Sequence, residues 1–250
     1  MPSDPPAPRQ RAIPLLTTGF YSVAVPPGPR GRRRPALIAL HGYGGTRESL
    51  QGFAARLAPA SFVVAALQGT HQHAVRRGGH LRPAYGWGTQ GDGPANQALH
   101  HGFVLGVIED LVRTCRVDPG KVFLFGFSQS VGLNYRFAFT HPGRVCGLVA
   151  VCGGIPGDWE TNRRYRPSPT AVLLISGTRD PHYPPERVRP YKAALERRAR
   201  SVEHLSYPVG HRFPRRAAPA VRRWLLACCG TAPGRERGDA LRATRFVACH

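Results

Sequence analysis

Between Gly126 and Ser130 the chain reads Gly-Phe-Ser-Gln-Ser, directly after the apolar run from Val122 to Phe125 and ahead of helix-compatible residues. A serine delivered at such a break sits on a tight strand-to-helix turn, where its hydroxyl is exposed and the first N–H groups of the helix face any oxyanion that forms. Ser128 is thereby a candidate nucleophile. Small residues are needed on either side because the chain passes close to itself there. Gly126 meets that need, and Ser130 stands at the fifth position, where G-x-S-x-G has glycine. A plain strand end followed by a helix start gives the same string, so the reading depends on partners elsewhere.

A nucleophilic serine needs a base, and the base needs an orienting carboxylate; in a sheet of this kind the chain order is Ser, then Asp or Glu, then His. Two later segments supply them: Gly177-Thr178-Arg179-Asp180-Pro181 after the apolar run 171–176, and Pro208-Val209-Gly210-His211 after the run 202–207. Asp180 would accept a hydrogen bond from the His211 ring and fix its tautomer. His211 would then take the Ser128 proton and return it to the leaving group. Of the other histidines, His204 lies within a predicted strand, His182 is nearly adjacent to Asp180 and His250 ends the chain. Upstream, His41-Gly42-Tyr43-Gly44-Gly45 follows the run 36–40. Its glycines let the backbone approach a reacting carbonyl, so that the Tyr43 N–H joins the Gln129 N–H as an oxyanion hole, with Gly42 and Gly44 beside the substrate.

The elements that must hold these residues read as alternating strands and helices. Apolar runs bounded by Gly and Pro predict strands over 19–25, 36–40, 61–67, 122–125, 145–151, 171–176 and 202–207. Three-and-four spacing predicts a helix over 96–115, and further helices are expected at 50–57, 129–139, 185–200 and 214–228, with Pro185 and Pro214 as first-turn residues. That alternation implies an α/β fold with a mostly parallel central sheet covered by helices on both faces. The connection 68–95 is rich in Gly, His and Pro and has no clear periodicity, so it is expected to be a long site-forming loop. Trp87 within it is either an aromatic plug or a substrate contact.

Composition bounds the rest. With 250 residues the chain suits one sizeable core, expected over 35–228, between a Pro/Arg-rich segment 1–34 and an Arg-rich tail 229–250. The formal charge of +21 includes only Lys121 and Lys192 as lysines, and its arginines are scattered. No nucleic-acid motif accompanies them, so specific nucleic-acid binding is not expected, although the charge leaves room for non-specific adhesion to polyanions. The six cysteines show neither zinc-site spacing nor a disulfide framework. No apolar run has signal-peptide length or approaches the roughly 20 residues of a membrane helix, so a cytoplasmic protein is expected. Oligomeric state is left open.

Over roughly 36–228 the chain resembles the α/β-hydrolase superfamily and, within it, the phospholipase/carboxylesterase group of small serine esterases. The segments that carry the resemblance are LIALHGYGG, VDPGKVFLFGFSQS, LISGTRDPHYP and YPVGHRFP, with a tryptophan in the loop after the fourth strand. The resemblance implies an α/β-hydrolase fold without a large cap domain, a Ser128–Asp180–His211 triad, oxyanion donors from Tyr43 and Gln129, and a small-molecule ester or thioester substrate. It also implies no cofactor and no metal. Ser130 and the Tyr43-Gly44-Gly45 turn depart from the group's pattern. Competing expectations are a peptidase or polyester depolymerase on the same fold, or a non-catalytic scaffold binding a ligand or polyanion.

Overall fold

The computed structural model of the chain describes residues 11, 13, 16–28, 31–88 and 93–230. In chain order the elements are β1 (Tyr21–Ala24), β2 (Arg34–Leu40), α1 (Arg47–Leu57), β3 (Val63–Leu67), β4 (His71–Arg77), β5 (His80–Gly86), α2 (Gly93–Thr114) and β6 (Val117–Phe127). There follow α3 (Gln129–Thr140), β7 (Gly147–Val151), β8 (Ser168–Gly177), α4 (Pro185–Val188), α5 (Tyr191–Glu196), β9 (Ala199–Tyr207) and, after a 3-10 turn at Arg215–Ala217, α6 (Ala218–Gly230).

Seven strands form one sheet in the order β1-β3-β2-β6-β7-β8-β9; β1 runs antiparallel to β3 and every other neighbour is parallel. From β2 the chain moves outward to β3, then crosses back to β6 on the other side of β2. The C-terminal ends of β2 and β6, where Leu40 lies opposite Gly126, therefore form a topological switch point, the place where open α/β sheets bind ligands.

Strand alternation sorts the core into two layers. Ile38, Leu40 and Leu124 face α2 and α3 with Val104, Val107 and Tyr135, whereas Leu37, Ala39, Phe123 and Phe125 face α1 and α6 with Leu50, Ala54, Val221 and Leu225. Full burial of each large apolar side chain is worth about 1.5–3 kcal/mol. Both faces are dry, which is why these strands read as continuous apolar runs rather than alternating ones. Helix α1 begins earlier than the apolar pattern indicates because Thr46 and Ser49 close a capping box at its N-terminus.

Two expectations about the elements need correction. The connection 68–95 is not an irregular loop throughout: β4 and β5 pair as an antiparallel hairpin in full register from His71↔Gly86 to Arg77↔His80. Its turn is Gly78-Gly79, both at positive φ (56° and 83°), as a two-residue hairpin turn of the mirror-image type requires. The span 185–200 is not one helix either. Pro190 has no N–H to continue the ladder, so α4 stops at Val188, α5 restarts at Tyr191, and by Ala199 the chain is already strand. The tail after Gly230 and most of the first fifteen residues lie outside the described residues.

Candidate active site

Strand β6 ends at Phe127 and α3 begins at Gln129, leaving Ser128 alone at the corner with φ 55° and ψ −114°. A left-handed backbone on a non-glycine residue costs of order 1–3 kcal/mol and persists only where its surroundings enforce it. Here they do. Ser128 N–H donates to Val151 O at 3.0 Å, and Ser128 O accepts from Val131 N at 3.1 Å. Ser130, fully buried, adds a side-chain clasp: its Oγ accepts from Phe127 N at 3.0 Å, and its hydroxyl proton lies within reach of Leu40 O at 3.0 Å and Phe127 O at 3.1 Å. The residue that departs from the glycine pattern thus ties the elbow to the end of β2.

Asp180 and His211 arrive from the loops after β8 and β9. His211 Nε2 lies 2.9 Å from Ser128 Oγ, and His211 Nδ1 lies 2.8 Å from Asp180 Oδ2. The other carboxylate oxygen, Oδ1, accepts from His182 N at 2.9 Å and Tyr183 N at 3.1 Å. Burial opposes charge on Asp180, but the His211 hydrogen bond and the two backbone N–H groups outweigh it and hold its pKa below the ordinary carboxylate value. An ionised, fixed carboxylate on Nδ1 leaves Nε2 as the nitrogen that can accept the Ser128 proton. His204, by contrast, is committed to Ser176 Oγ at 2.8 Å within the sheet. His182 supplies its backbone N–H to Asp180 and packs its ring edge-on against His211.

The turn after β2 lies against the elbow. A Cβ at Gly42 would meet Phe127 Cδ1 at 2.8 Å and Ser128 Cβ at 3.2 Å, so only glycine allows this approach. His41, buried, pins the turn: its Nδ1 lies 2.7 Å from Gly42 O, and its Nε2 accepts from Gly69 N at 2.9 Å. Desolvation by burial lowers the His41 pKa, which keeps the ring neutral in the tautomer those two bonds need. Gln129 is the first residue of α3, so its N–H has no intrahelical acceptor. The Tyr43 N–H is paired with no backbone carbonyl among the described residues, whereas its neighbours Gly44 and Gly45 donate to Tyr85 O and Gly42 O. Gly44 adopts a φ of 77°, which lets the turn double back.

The hairpin locks this arrangement from above. Tyr85 N–H donates to Gly45 O at 3.1 Å, forming a bridge between β5 and the glycine turn, and the exposed Tyr43 ring stacks on His73 of β4 with centroids 4.4 Å apart. Trp87 closes the same junction. Its indole is buried and donates from Nε1 to His41 O at 2.7 Å, while its backbone N–H donates to Gln129 Oε1 at 3.0 Å. Trp87 thus anchors the loop, and it also borders a cleft of about 820 Å³ beside Gln129. The sequence reading did not find the roles of His41 and Ser130. The constrained positions Gly42 and Gly126 were the local signal that something packs closely there.

Among the described residues, the ligand-type side chains that converge are Cys152, Asp180 and His211, with one donor atom from each within 4.8 Å of the others. Asp180 and His211 are already bonded to each other, and burial, followed by the nearby Asp180 charge, pushes the Cys152 thiol up to about 12. That is a neutral thiol packed on a working hydrogen-bond relay rather than an open coordination set.

A family model described as phospholipase/carboxylesterase matches residues 24–229, and the chain belongs to that family. A Nocardia uniformis subsp. tsuyamanensis protein described as "Putative esterase NocK" is 30% identical over 177 residues, covering 67% of this chain and 46% of that protein. The chain therefore spans about half the length of that curated relative. The Bacillus cereus carboxylesterase structure superposes with a TM-score of 0.66 at 16% identity, covering 84% of this chain and 94% of that one. The structure of esterase PE8 gives 0.67 at 19% identity, covering 85% and 100%. At such identities the likeness is one of fold: an α/β-hydrolase sheet flanked by helices, with no large cap.

Proposed function

We propose that this member of the phospholipase/carboxylesterase family hydrolyses carboxylic or thio esters through an acyl-enzyme on Ser128. The observation that carries this reading is the relay from Asp180 through His211 to Ser128 Oγ, with 2.8 and 2.9 Å contacts, ending on a serine held at positive φ.

His211 Nε2 accepts the Ser128 proton as Oγ bonds to the ester carbonyl carbon, and the carbonyl π electrons move onto its oxygen. Asp180 balances the imidazolium without taking the proton. The resulting oxyanion is received by the N–H groups of Tyr43 and Gln129; loss of one such donor costs about 10²–10³ in kcat. Collapse breaks the bond to the alcohol or thiol, which leaves with the proton from His211. Water then repeats the sequence: His211 takes its proton, the hydroxide adds to the acyl carbon, and Ser128 departs with the proton restored. Every proton in the cycle passes through Nε2.

An active-site-directed fluorophosphonate should label the folded chain at Ser128, with labelling abolished in Ser128→Ala. A correctly folded wild type that stays unlabelled would remove the proposal. Aryl esters of graded chain length set against aminoacyl amides distinguish an esterase from a peptidase, the esterase reading requiring turnover of the esters.

A further inference from the structure

Two clefts open beside the elbow, one bordered by Phe127 and His211 and the other by Gln129. On the His211 side lies a recess of about 410 Å³ walled by Phe53, Phe125, Phe127 and Phe213. On the Gln129 side lies the cleft of about 820 Å³, with His71 and His73 from the hairpin and Arg136, Asp158 and Arg164 at its far end. Tyr43 borders both and forms the ridge between them.

The esterase reading, on which this inference rests, assigns the two halves of a substrate. The leaving oxygen must receive its proton from His211, so the alcohol departs over the phenylalanine recess. The acyl portion, whose carbonyl oxygen points to the Gln129 N–H, continues along α3. Gln129, Leu133 and Arg136 stand at i, i+4 and i+7, so one face of that helix runs along the Gln129-side cleft. From Gln129 to Arg136 the rise is about 10 Å.

Charge at the far end is not balanced. Asp158 is occupied by Arg136 at 2.8 Å, by Asn162 Nδ2 at 2.8 Å and by the Tyr165 hydroxyl at 3.0 Å. Arg136 also contacts Tyr165, so this pair is a fixed, neutralised scaffold. Arg164 lies in the same cleft, exposed, and no carboxylate is paired with its guanidinium among the described residues. Leu133, Pro94 and the rings of Tyr43 and Trp87 give the cleft apolar walls suited to a methylene chain.

We infer that the acyl site takes an acid carrying a second, remote carboxylate, bound by Arg164 beside the neutralised Arg136–Asp158 pair. The substrate class is thus half-esters of short dicarboxylic acids, with an apolar or aromatic alcohol. The guanidinium fork suits a carboxylate in a way a single polar hydroxyl or amide does not match.

The test compares benzyl hydrogen adipate with its neutral counterpart, benzyl adipamate, by release of benzyl alcohol. The expected result is a kcat/KM about tenfold or more in favour of the carboxylate at low salt, narrowing as salt is added. The preference should fall to near parity in Arg164→Gln. In parallel, adipate and the neutral diamide adipamide are titrated calorimetrically into Ser128→Ala, where adipate should bind more tightly and lose that advantage when Arg164→Gln is added. Parity between the two esters in the wild type, or adipate binding indifferent to Arg164, would overturn the inference. Failure of fluorophosphonate labelling would instead strike the esterase reading, and the adipate titration would still decide the cleft.

Discussion

Two buried polar regions meet at the elbow, and they are finished to different standards. On the Asp180 side the relay is fully paired: both carboxylate oxygens, both His211 nitrogens and the Ser130 hydroxyl have partners at 2.8–3.1 Å. On the side facing α2, the His100 and Asn134 side chains have little beyond each other, with no well-formed hydrogen bond, and the Tyr135 hydroxyl is buried with no hydrogen-bond partner among the described residues. A fully paired network fixes geometry, whereas an unpaired buried group carries its desolvation penalty uncompensated, about 1–3 kcal/mol each. The contrast separates polar atoms whose geometry is fixed by full pairing from polar atoms whose burial is poorly compensated.

Breaking the paired side should have the largest effect. Asp180→Asn keeps the shape but removes the charge and favours the wrong His211 tautomer, so kcat on a simple aryl ester should fall by about 10⁴, with the melting temperature changed far less. Equal losses of stability and activity would mean that Asp180 is structural. Ser130→Gly removes the clasp between α3, Phe127 and Leu40 while restoring the commoner motif. The expected cost is about 1–2 kcal/mol in denaturant unfolding, with a smaller loss of turnover than Asp180→Asn causes. A gain in both would show that the serine is a defect rather than a clasp.

The unpaired side should respond in the opposite direction. Burial, reinforced by neighbouring His101, lowers the His100 pKa to about 3, against about 6.5 for an unfolded histidine. Between those values the unfolded chain binds a proton that the folded chain refuses. Stability is therefore lost as pH falls below about 6.5, by up to about 1.4 kcal/mol per pH unit from this residue. Asp180 acts lower: its depressed pKa contributes stability that is present above the ordinary carboxylate pKa and lost only as pH falls through its folded value. His100→Phe should flatten the slope between pH 6 and 4 and raise the melting point at acidic pH, with activity at neutral pH retained. An unchanged slope would place the acid sensitivity elsewhere.

The same contrast explains what the sequence discloses. Ser128, Asp180 and His211 stand immediately beyond apolar strands, and Gly42 beyond another, so their common edge follows from linear order once the sheet is recognised as parallel. The hairpin escaped because HQHAVRR and HLRPAYG lack apolar alternation; its register rests on the Gly78-Gly79 turn and on the bridge from Tyr85 to Gly45, far away in the chain. Ser130 was visible as a departure, but its acceptor at Leu40 lies ninety residues upstream and no local pattern names it. Arg136 and Arg164 were hidden among the many arginines of a chain carrying +21, since only the fold brings them, Asp158 and the hairpin to one cleft. The split at Pro190 was legible in principle, because a proline after the first turn of a helix removes a required donor.

The central claim is that an acyl group passes through Ser128. Rapid mixing of the protein with an activated acetate ester, acid quench and peptide mapping by mass spectrometry reads it directly. The account predicts an acetyl group on the peptide containing Ser128 during turnover, accumulating further in a His211→Gln protein that can no longer activate water efficiently. Ester hydrolysis with no adduct on Ser128, or with the adduct on another residue, would contradict it.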